Sequence, residues 1–395
     1  VAEEVQLLQS VLGGQSSSPS ADSSLQSKAE GPGVEGRKRR ILVLCRFRKH
    51  TTQGSNVSEL PAWWVEEGRV SSVDVAKGTI GAPAFAFDRV FSHDVGQESV
   101  YAQIEHVVHG VVAGTNGSVL CYGQTSAGKT YTMEGPGNSC GSISELWGII
   151  PRALHTVFSD TASATERDEG CENVRFRVQL SMLEIYKEQL RDLLDPSTRS
   201  DLRITNGPKG LVEVQGLRRV VAQDLEHALE VFRFGQSHRV VGATNANDRS
   251  SRSHSVFIVQ VERSSGNRRS NSKLCLADLA GSECLKKSCQ GRGSAATRLL
   301  SEEAKAINKS LSTLGLVIKK LAGLHRCSGE THIPYRSSKL TRVLQDALGG
   351  RSQTVLVLNC SASRQHAAET LSTLRFGASA RSIVGLPVSK LVTEE

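Results

Sequence analysis

A central β-sheet covered by helices on both faces, an α/β fold, is what this sequence predicts, and three observations predict it. Apolar runs of strand length recur along the chain at Ile41–Leu44, Ser118–Tyr122, Phe176–Ile185, Ser255–Val261, Lys273–Asp278 and Thr354–Cys360. Stretches of helical period lie between them at Gln97–Val112, Leu225–Arg233, Ser301–Leu324 and Ser338–Leu348. A glycine-rich loop follows the second strand. Strands that are apolar throughout are buried on both faces, and intervening helices supply the cover. Loop-like inserts are expected at Thr51–Ala82, Ser159–Asn173 and Arg263–Ser272.

With 395 residues and 38% hydrophobic content, the chain has enough material for one large globular domain or two ordinary ones. No apolar stretch approaches the ~20 residues that span a bilayer, and the start, Val1-Ala2-Glu3-Glu4, has no secretory pattern. Membrane insertion is therefore not expected, and a cytosolic or nuclear location is. The nine cysteines are scattered without Cys-x-x-Cys pairs. Cys45, Cys121, Cys275 and Cys360 lie within apolar strands, as small buried hydrophobes do in a reducing compartment. A metal–thiolate site is not expected.

Net charge is +8, but its distribution is more informative. Between Cys284 and Arg351 there are 13 Lys and Arg against 4 Asp and Glu, a net of +9, while the rest of the chain sums to −1. A segregated basic stretch implies an acidic partner. Residues 1–36 are Ser-, Gly- and Gln-rich and read as a disordered or low-complexity extension. Arg37-Lys38-Arg39-Arg40 flanks the first strand; a nuclear-import signal is the other reading of that cluster.

Gly123-Gln124-Thr125-Ser126-Ala127-Gly128-Lys129-Thr130 fits G-x-x-x-x-G-K-[ST] and follows a strand, as that motif requires. The glycines let backbone N–H groups converge on phosphate oxygens, Lys129 reaches the β- and γ-phosphates, and Thr130 offers a hydroxyl to Mg2+. A second element, Asp278-Leu279-Ala280-Gly281-Ser282-Glu283, follows the strand ending at Ala277. There Asp278 can hold Mg2+ through water, and Gly281 can offer its N–H to a γ-phosphate. GTPases also use D-x-x-G. The guanine-reading N-K-x-D is missing, because Asn308-Lys309-Ser310-Leu311 lacks the Asp, so ATP is favoured over GTP.

The third element is Asn247-Asp248-Arg249-Ser250-Ser251-Arg252-Ser253-His254. In this order the three resemble the phosphate-sensing elements of the kinesin superfamily. Phe85–Phe91, Glu184-Ile185-Tyr186, Ile307–Gly315, His332–Arg342 and Leu374–Gly377 also match, and the resemblance covers roughly nine-tenths of the chain. It implies a mainly parallel eight-stranded sheet flanked by three helices on each side, over residues 37–381, with 382–395 as a neck-linker-like segment.

The resemblance also implies roles. Arg46 and Tyr131 flank the adenine, with Lys49 where the family has Pro, and Gly123 to Thr130 with Asn247 complete the nucleotide site. Thr130, Ser251 and Asp278 hold Mg2+, while Ser250 and Gly281 position the attacking water and the γ-phosphate. Arg252 and Glu283 form a salt bridge closing the two switch segments, Glu283 relaying the proton. Such a set meets the needs of phosphoryl transfer, which are positioning and charge stabilisation. Lys287, Arg336, Lys339 and Arg342 face the microtubule, whose tubulin is acidic. Glu283 to Asn308 is longer than in conventional kinesins, and Gly385 stands where those have a latching Asn, with Pro387 after it.

The function implied is microtubule-stimulated ATP hydrolysis coupled to plus-end-directed movement, in the cytoplasm on the cytoskeleton and with no nucleic-acid partner. The alternative is a non-motile microtubule-binding or microtubule-destabilising protein of the same fold. No heptads follow the core, so the chain reads as a fragment of a longer protein, with a homodimer through regions outside this sequence left open.

Overall fold

The computed structural model describes residues 41–48, 61–66, 68–74, 79–136, 145–166, 174–197, 201–207, 210–241, 249–266, 268–283, 295–324, 332–383 and 392–394. The extension 1–36, Gly385 and Pro387 lie outside them.

The strands are β1 Leu42–Arg48, β2 Trp63–Glu66, β3 Arg69–Asp74, β4 Thr79–Ala86, β5 Arg89–Phe91, β6 Gly117–Gly123, β7 Arg175–Tyr186 and β8 Gln189–Asp192. They continue with β9 Arg203–Asn206, β10 Val212–Gln215, β11 Val220–Ala222, β12 His254–Ser265, β13 Arg268–Asp278, β14 Gln353–Ser361 and β15 Val392–Glu394. The α-helices are α1 Gln97–Ala102, α2 Glu105–Val112, α3 Lys129–Glu134, α4 Ile149–Glu166 and α5 Leu225–Val241. After them come α6 Ala295–Gly323, α7 Lys339–Val343, α8 Gln345–Leu348 and α9 Ala367–Arg381.

The main sheet runs β11-β7-β12-β13-β6-β14-β1-β5. This path has the eight strands expected, and β8 on β7 and β15 on β13 widen the sheet to ten. The pairs β13–β6, β6–β14, β14–β1 and β1–β5 are parallel, and the remaining three along the path are antiparallel. The parallel half carries the phosphate loop. Parallel neighbours need crossovers, and the helices of those crossovers cover the faces.

β6 is buried along its whole length and divides the two cores by alternation. Val119 and Cys121 join Val108, Leu154 and Phe232, from α2, α4 and α5, on one side. Leu120 and Tyr122 join Leu314 and Ile318 of α6, Leu340 of α7 and Leu374 of α9 on the other. Cys45, Cys121, Cys275 and Cys360 are free and buried, as their apolar settings predict.

All three expected inserts contain regular structure. Within 51–82, β2 and β3 pair antiparallel, and β4 extends the meander. Only Trp63 and Val70 of β2 and β3 are core residues, which leaves too faint an alternation to recognise. β12 and β13 continue as a ladder to Ser265 and Arg268, a ribbon held by backbone bonds rather than by an apolar face. Helix α4 continues to Glu166, its polar end masking a buried Thr161. Conversely, Gln97–Val112 and Ser338–Leu348 are each two helices, broken at Gln103–Ile104 and Leu344, because period alone does not register a one- or two-residue offset. No described helix is long and apolar enough to cross a membrane.

Candidate nucleotide site and basic face

β6 ends at Gly123, whose φ is +151° and where a Cβ would fall inside the contact distance of the Asn359 carbonyl oxygen on β14. Only glycine lets the chain leave the sheet there. The loop then places Ser126 (φ 63°) and Gly128 (φ 96°) in left-handed conformations before α3. This turn gathers backbone N–H groups into a concavity suited to anions. Lys129 is buried, and its Nζ donates to the Gln124 carbonyl at 2.8 Å. Burial pulls its pKa below the ordinary lysine value.

One carboxylate already uses that concavity. Glu283 accepts from the Thr125 N–H at 2.7 Å and from the Thr125 hydroxyl. The expected Arg252–Glu283 ion pair is not among the contacts of the described residues, where the carboxylate rests on Thr125 instead. A Cβ on Gly281 would collide with Thr125 Oγ1, so the backbone at this position must be bare to lie against the loop. The Gly281 N–H donates to the Ser251 carbonyl at 2.8 Å, joining the second and third sequence elements by backbone alone.

The Thr130 hydroxyl donates to Asp278 Oδ2 at 2.8 Å. Arg239 of α5, almost fully buried, also reaches that oxygen at 2.9 Å and Glu134 at 3.1 Å. Gln236 donates to the other oxygen of Glu134 at 2.7 Å. The buried Asp278 and the largely covered Glu134 are thus offset by Arg239 and by nearby Lys129, which keeps the cluster tolerable in a low-dielectric site. Asp278 Oδ1 is buried with no hydrogen-bond partner among the described residues.

On the base side, Arg46 donates to Gln97 Oε1 at 2.7 Å and Thr132 Oγ1 at 2.9 Å, with its guanidinium 5.4 Å from the Tyr131 ring centroid. Burial lowers the Arg46 pKa from its ordinary value. Tyr131 is 40% exposed. Gln97 donates to the Tyr131 carbonyl at 2.6 Å, and Asn359 donates to Thr132 Oγ1 at 2.9 Å.

The structure therefore brings together Arg46, Gly123 to Tyr131, Ser251, Asp278, Gly281 and Glu283. Asn247, Lys287 and Lys49 lie outside the described residues, and Ser250 is described in backbone only. Arg239, Glu134, Gln236, Gln97 and Asn359 escape sequence reading because each sits inside a helix or strand with no motif around it. An Arg next to Val240 and Val241 was the available signal for Arg239.

The basic face divides in two. Arg336 and Lys339 are exposed. Glu188 caps the start of α7, accepting from Ser338 Oγ and the Lys339 N–H at 2.8 Å each. Arg342 is half-buried and donates to Asn206 of β9 and to Gln345. It ties the β9–β10 hairpin to α7 rather than projecting freely. Along α6, Lys305, Lys309 and Lys319 are exposed while Ile307, Leu311, Leu314 and Ile318 are core.

The profile of the kinesin motor domain family matches residues 46–383. Kinesin-related protein 5 of Dictyostelium discoideum is 39% identical over 345 residues, 87% of this chain and 33% of that protein. The kinesin heavy chain of Caenorhabditis elegans is 39% identical over 356 residues, 89% of this chain and 40% of that protein. The chain thus spans between a third and two fifths of the length of these two relatives. A solved structure of a fast kinesin, described for its ATPase mechanism and interactions with microtubules, superposes with a TM-score of 0.75 at 37% identity, covering 89% of this chain and 94% of that one. With more than half its length matched by the family profile and its phosphate elements converging in one pocket, the chain belongs to the kinesin motor domain family.

Proposed function

We propose that this chain is a motor that hydrolyses ATP in a microtubule-stimulated cycle and moves along microtubules, toward the plus end because the linker-like segment follows the core. The observation that carries the reading is the convergence of three phosphate-sensing elements at one point. Thr130 meets Asp278, Gly281 meets Ser251, and an internal carboxylate occupies the loop's Thr125 donor.

Arg46 and Tyr131 flank the adenine. Gln124 to Lys129 wrap the phosphates, with Asn247 completing the site. The orphaned, buried Asp278 Oδ1 beside Thr130 fits a hard cation that prefers oxygen ligands, so Thr130, Ser251 and Asp278 would hold Mg2+. When bound, Mg2+ offsets the charge of the β- and γ-phosphate oxygens. Ser250 and Gly281 position the attacking water and the γ-phosphate. Glu283 takes up the water's proton after leaving Thr125 for Arg252. In this arrangement charge and positioning do the catalytic work, with no covalent intermediate.

Microtubules are the partner that suits the segregated +9 stretch, with exposed Arg336 and Lys339 available to steer an acidic surface and Lys287 assigned to the same face. Residues 37–381 form the motor domain, 1–36 its extension and 382–395 the linker. Steady-state phosphate release, measured with and without polymerised tubulin, tests the reading. A large rise is expected, and equal rates would overturn it.

A further inference from the structure

His254 ends the Ser-Ser-Arg-Ser-His run and begins β12, yet it takes no part in the phosphate chemistry above. It is 2% exposed, and both ring nitrogens are engaged. The Ala280 N–H donates to Nδ1 at 2.9 Å. A backbone N–H can only donate, so Nδ1 is the bare nitrogen and the proton sits on Nε2. Nε2 lies 2.8 Å from Ser310 Oγ on α6, and the Ser310 hydroxyl donates onward to the Ile307 carbonyl at 2.8 Å. Every donor and acceptor along this line has one direction. Ser310 is 3% exposed, so no water competes for its hydroxyl.

The two ends of this line matter. Ala280 precedes Gly281, whose N–H is bonded to Ser251, so His254 holds the chain beside the phosphate-sensing glycine. Ser310 lies in the turn of α6 that presents Lys309 outward, on the helix carrying Lys305, Lys309 and Lys319. A rigid, planar, fully buried ring therefore spans from the phosphate-sensing loop to the basic helix.

We propose that His254 is a positioning residue that couples the Gly281 loop to α6 through Ser310, so that occupation of the basic face changes the loop's competence for hydrolysis. The proposal rests on the motor reading above. The ring passes displacement because it is held at both ends by directional bonds and packed on all sides, and a packed interior shifts between arrangements rather than deforming continuously.

The test uses the whole chain and compares basal with microtubule-stimulated turnover. Ser310→Ala removes the acceptor on α6 and leaves the Ala280–His254 bond in place. It should keep basal turnover and melting temperature close to wild type while lowering the microtubule-stimulated kcat roughly five- to tenfold, the lower part of the usual range of coupling between sites. Ser310→Thr, which keeps the hydroxyl, should restore most of the stimulation. His254→Asn keeps an acceptor near Ala280 but lacks the reach to Ser310. It should reproduce the Ser310→Ala defect, and the double variant should be no worse than either single one. Stimulation retained in Ser310→Ala, or an equal loss of basal and stimulated turnover in both Ser310 variants, would overturn the proposal alone. A wild-type chain indifferent to microtubules would overturn the motor reading and this proposal with it.

Discussion

The nucleotide pocket and the basic stretch 284–351 are built on opposite principles. In the pocket, groups are buried and interlocked: Lys129, Glu134, Arg239 and Asp278 are all shielded, and each touches a particular neighbour. On the basic face, Arg336 and Lys339 are exposed and their side chains make no bond among the described residues, while Arg342 is drawn inward to Asn206 and Gln345. Where burial is complete, contacts determine which amino acid can stand at a position. Where water covers a charge, only its sign matters, because exposed pairs contribute under about 1 kcal/mol. Substitutions in the two regions should differ accordingly, in size and in kind.

The largest effect belongs to Glu283→Ala. Loss of the carboxylate should slow hydrolysis by about two to four orders of magnitude, the range for a positioned general base, while ATP affinity stays within a few-fold. Single-turnover hydrolysis beside nucleotide titration checks both halves. Normal hydrolysis would mean that Glu283 only braces Thr125, and that the pocket carries structure where chemistry is assigned.

Gly123→Ala tests the steric side of the same region. Both the positive φ and the approach of the Asn359 carbonyl forbid a methyl group, so a loss of about 3 kcal/mol or more is expected in chemical denaturation. A mild effect would show that the strand end can yield, contrary to the rigid pocket described.

Protonation provides a third probe. Burial, together with the charges of Arg239 and Lys129, holds His254 at a pKa of about 3, against an ordinary value near 6.5. The unfolded chain binds a proton as pH falls below about 6.5, whereas the folded chain does not. His254 therefore contributes stability that is full above that value and lost as pH falls towards 3. The loss by pH 5 is about 2 kcal/mol. Denaturation midpoints of wild type and His254→Asn at pH 7 and pH 5 should converge at the lower pH. Parallel curves would deny that this ring stays neutral.

The smallest effects lie on the basic face. Arg336→Ala and Lys339→Ala should each weaken microtubule co-sedimentation about two- to fivefold, as expected of exposed charges, with the deficit shrinking as salt rises. Neither should alter ATP affinity. Arg342→Ala sharpens the contrast, because it should also increase amide exchange in β9 by releasing Asn206. If all three behaved alike, the division of the face into exposed and inward-drawn charges would fail.

Much of this molecule is legible in its sequence. The strand at Gly117–Gly123, the loop after it, and the Asp278 and Ser251 elements were readable because phosphate binding demands bare backbone and small polar side chains at fixed spacing. Such demands leave marks in local sequence. The central strands were readable because burial on both faces requires unbroken apolar runs.

The ribbon at 263–272 was not readable. Its strand residues on either side of the turn are held by backbone ladder bonds, which nearly every amino acid can make. Nor was the pairing of β15 with Arg268–Ser270, a contact between distant segments that no local pattern encodes.

The sequence by itself determined the fold class, the phosphate loop and the segregation of charge, since each follows from composition or spacing within a short window. Tertiary structure alone decided that Glu283 rests on Thr125, that Arg239 reaches Asp278 and Glu134, and that His254 joins Ala280 to Ser310. In these contacts the partners lie between 26 and 158 positions apart. What brings them together is the burial of two cores on either side of one sheet, and that packing is a property of the whole chain.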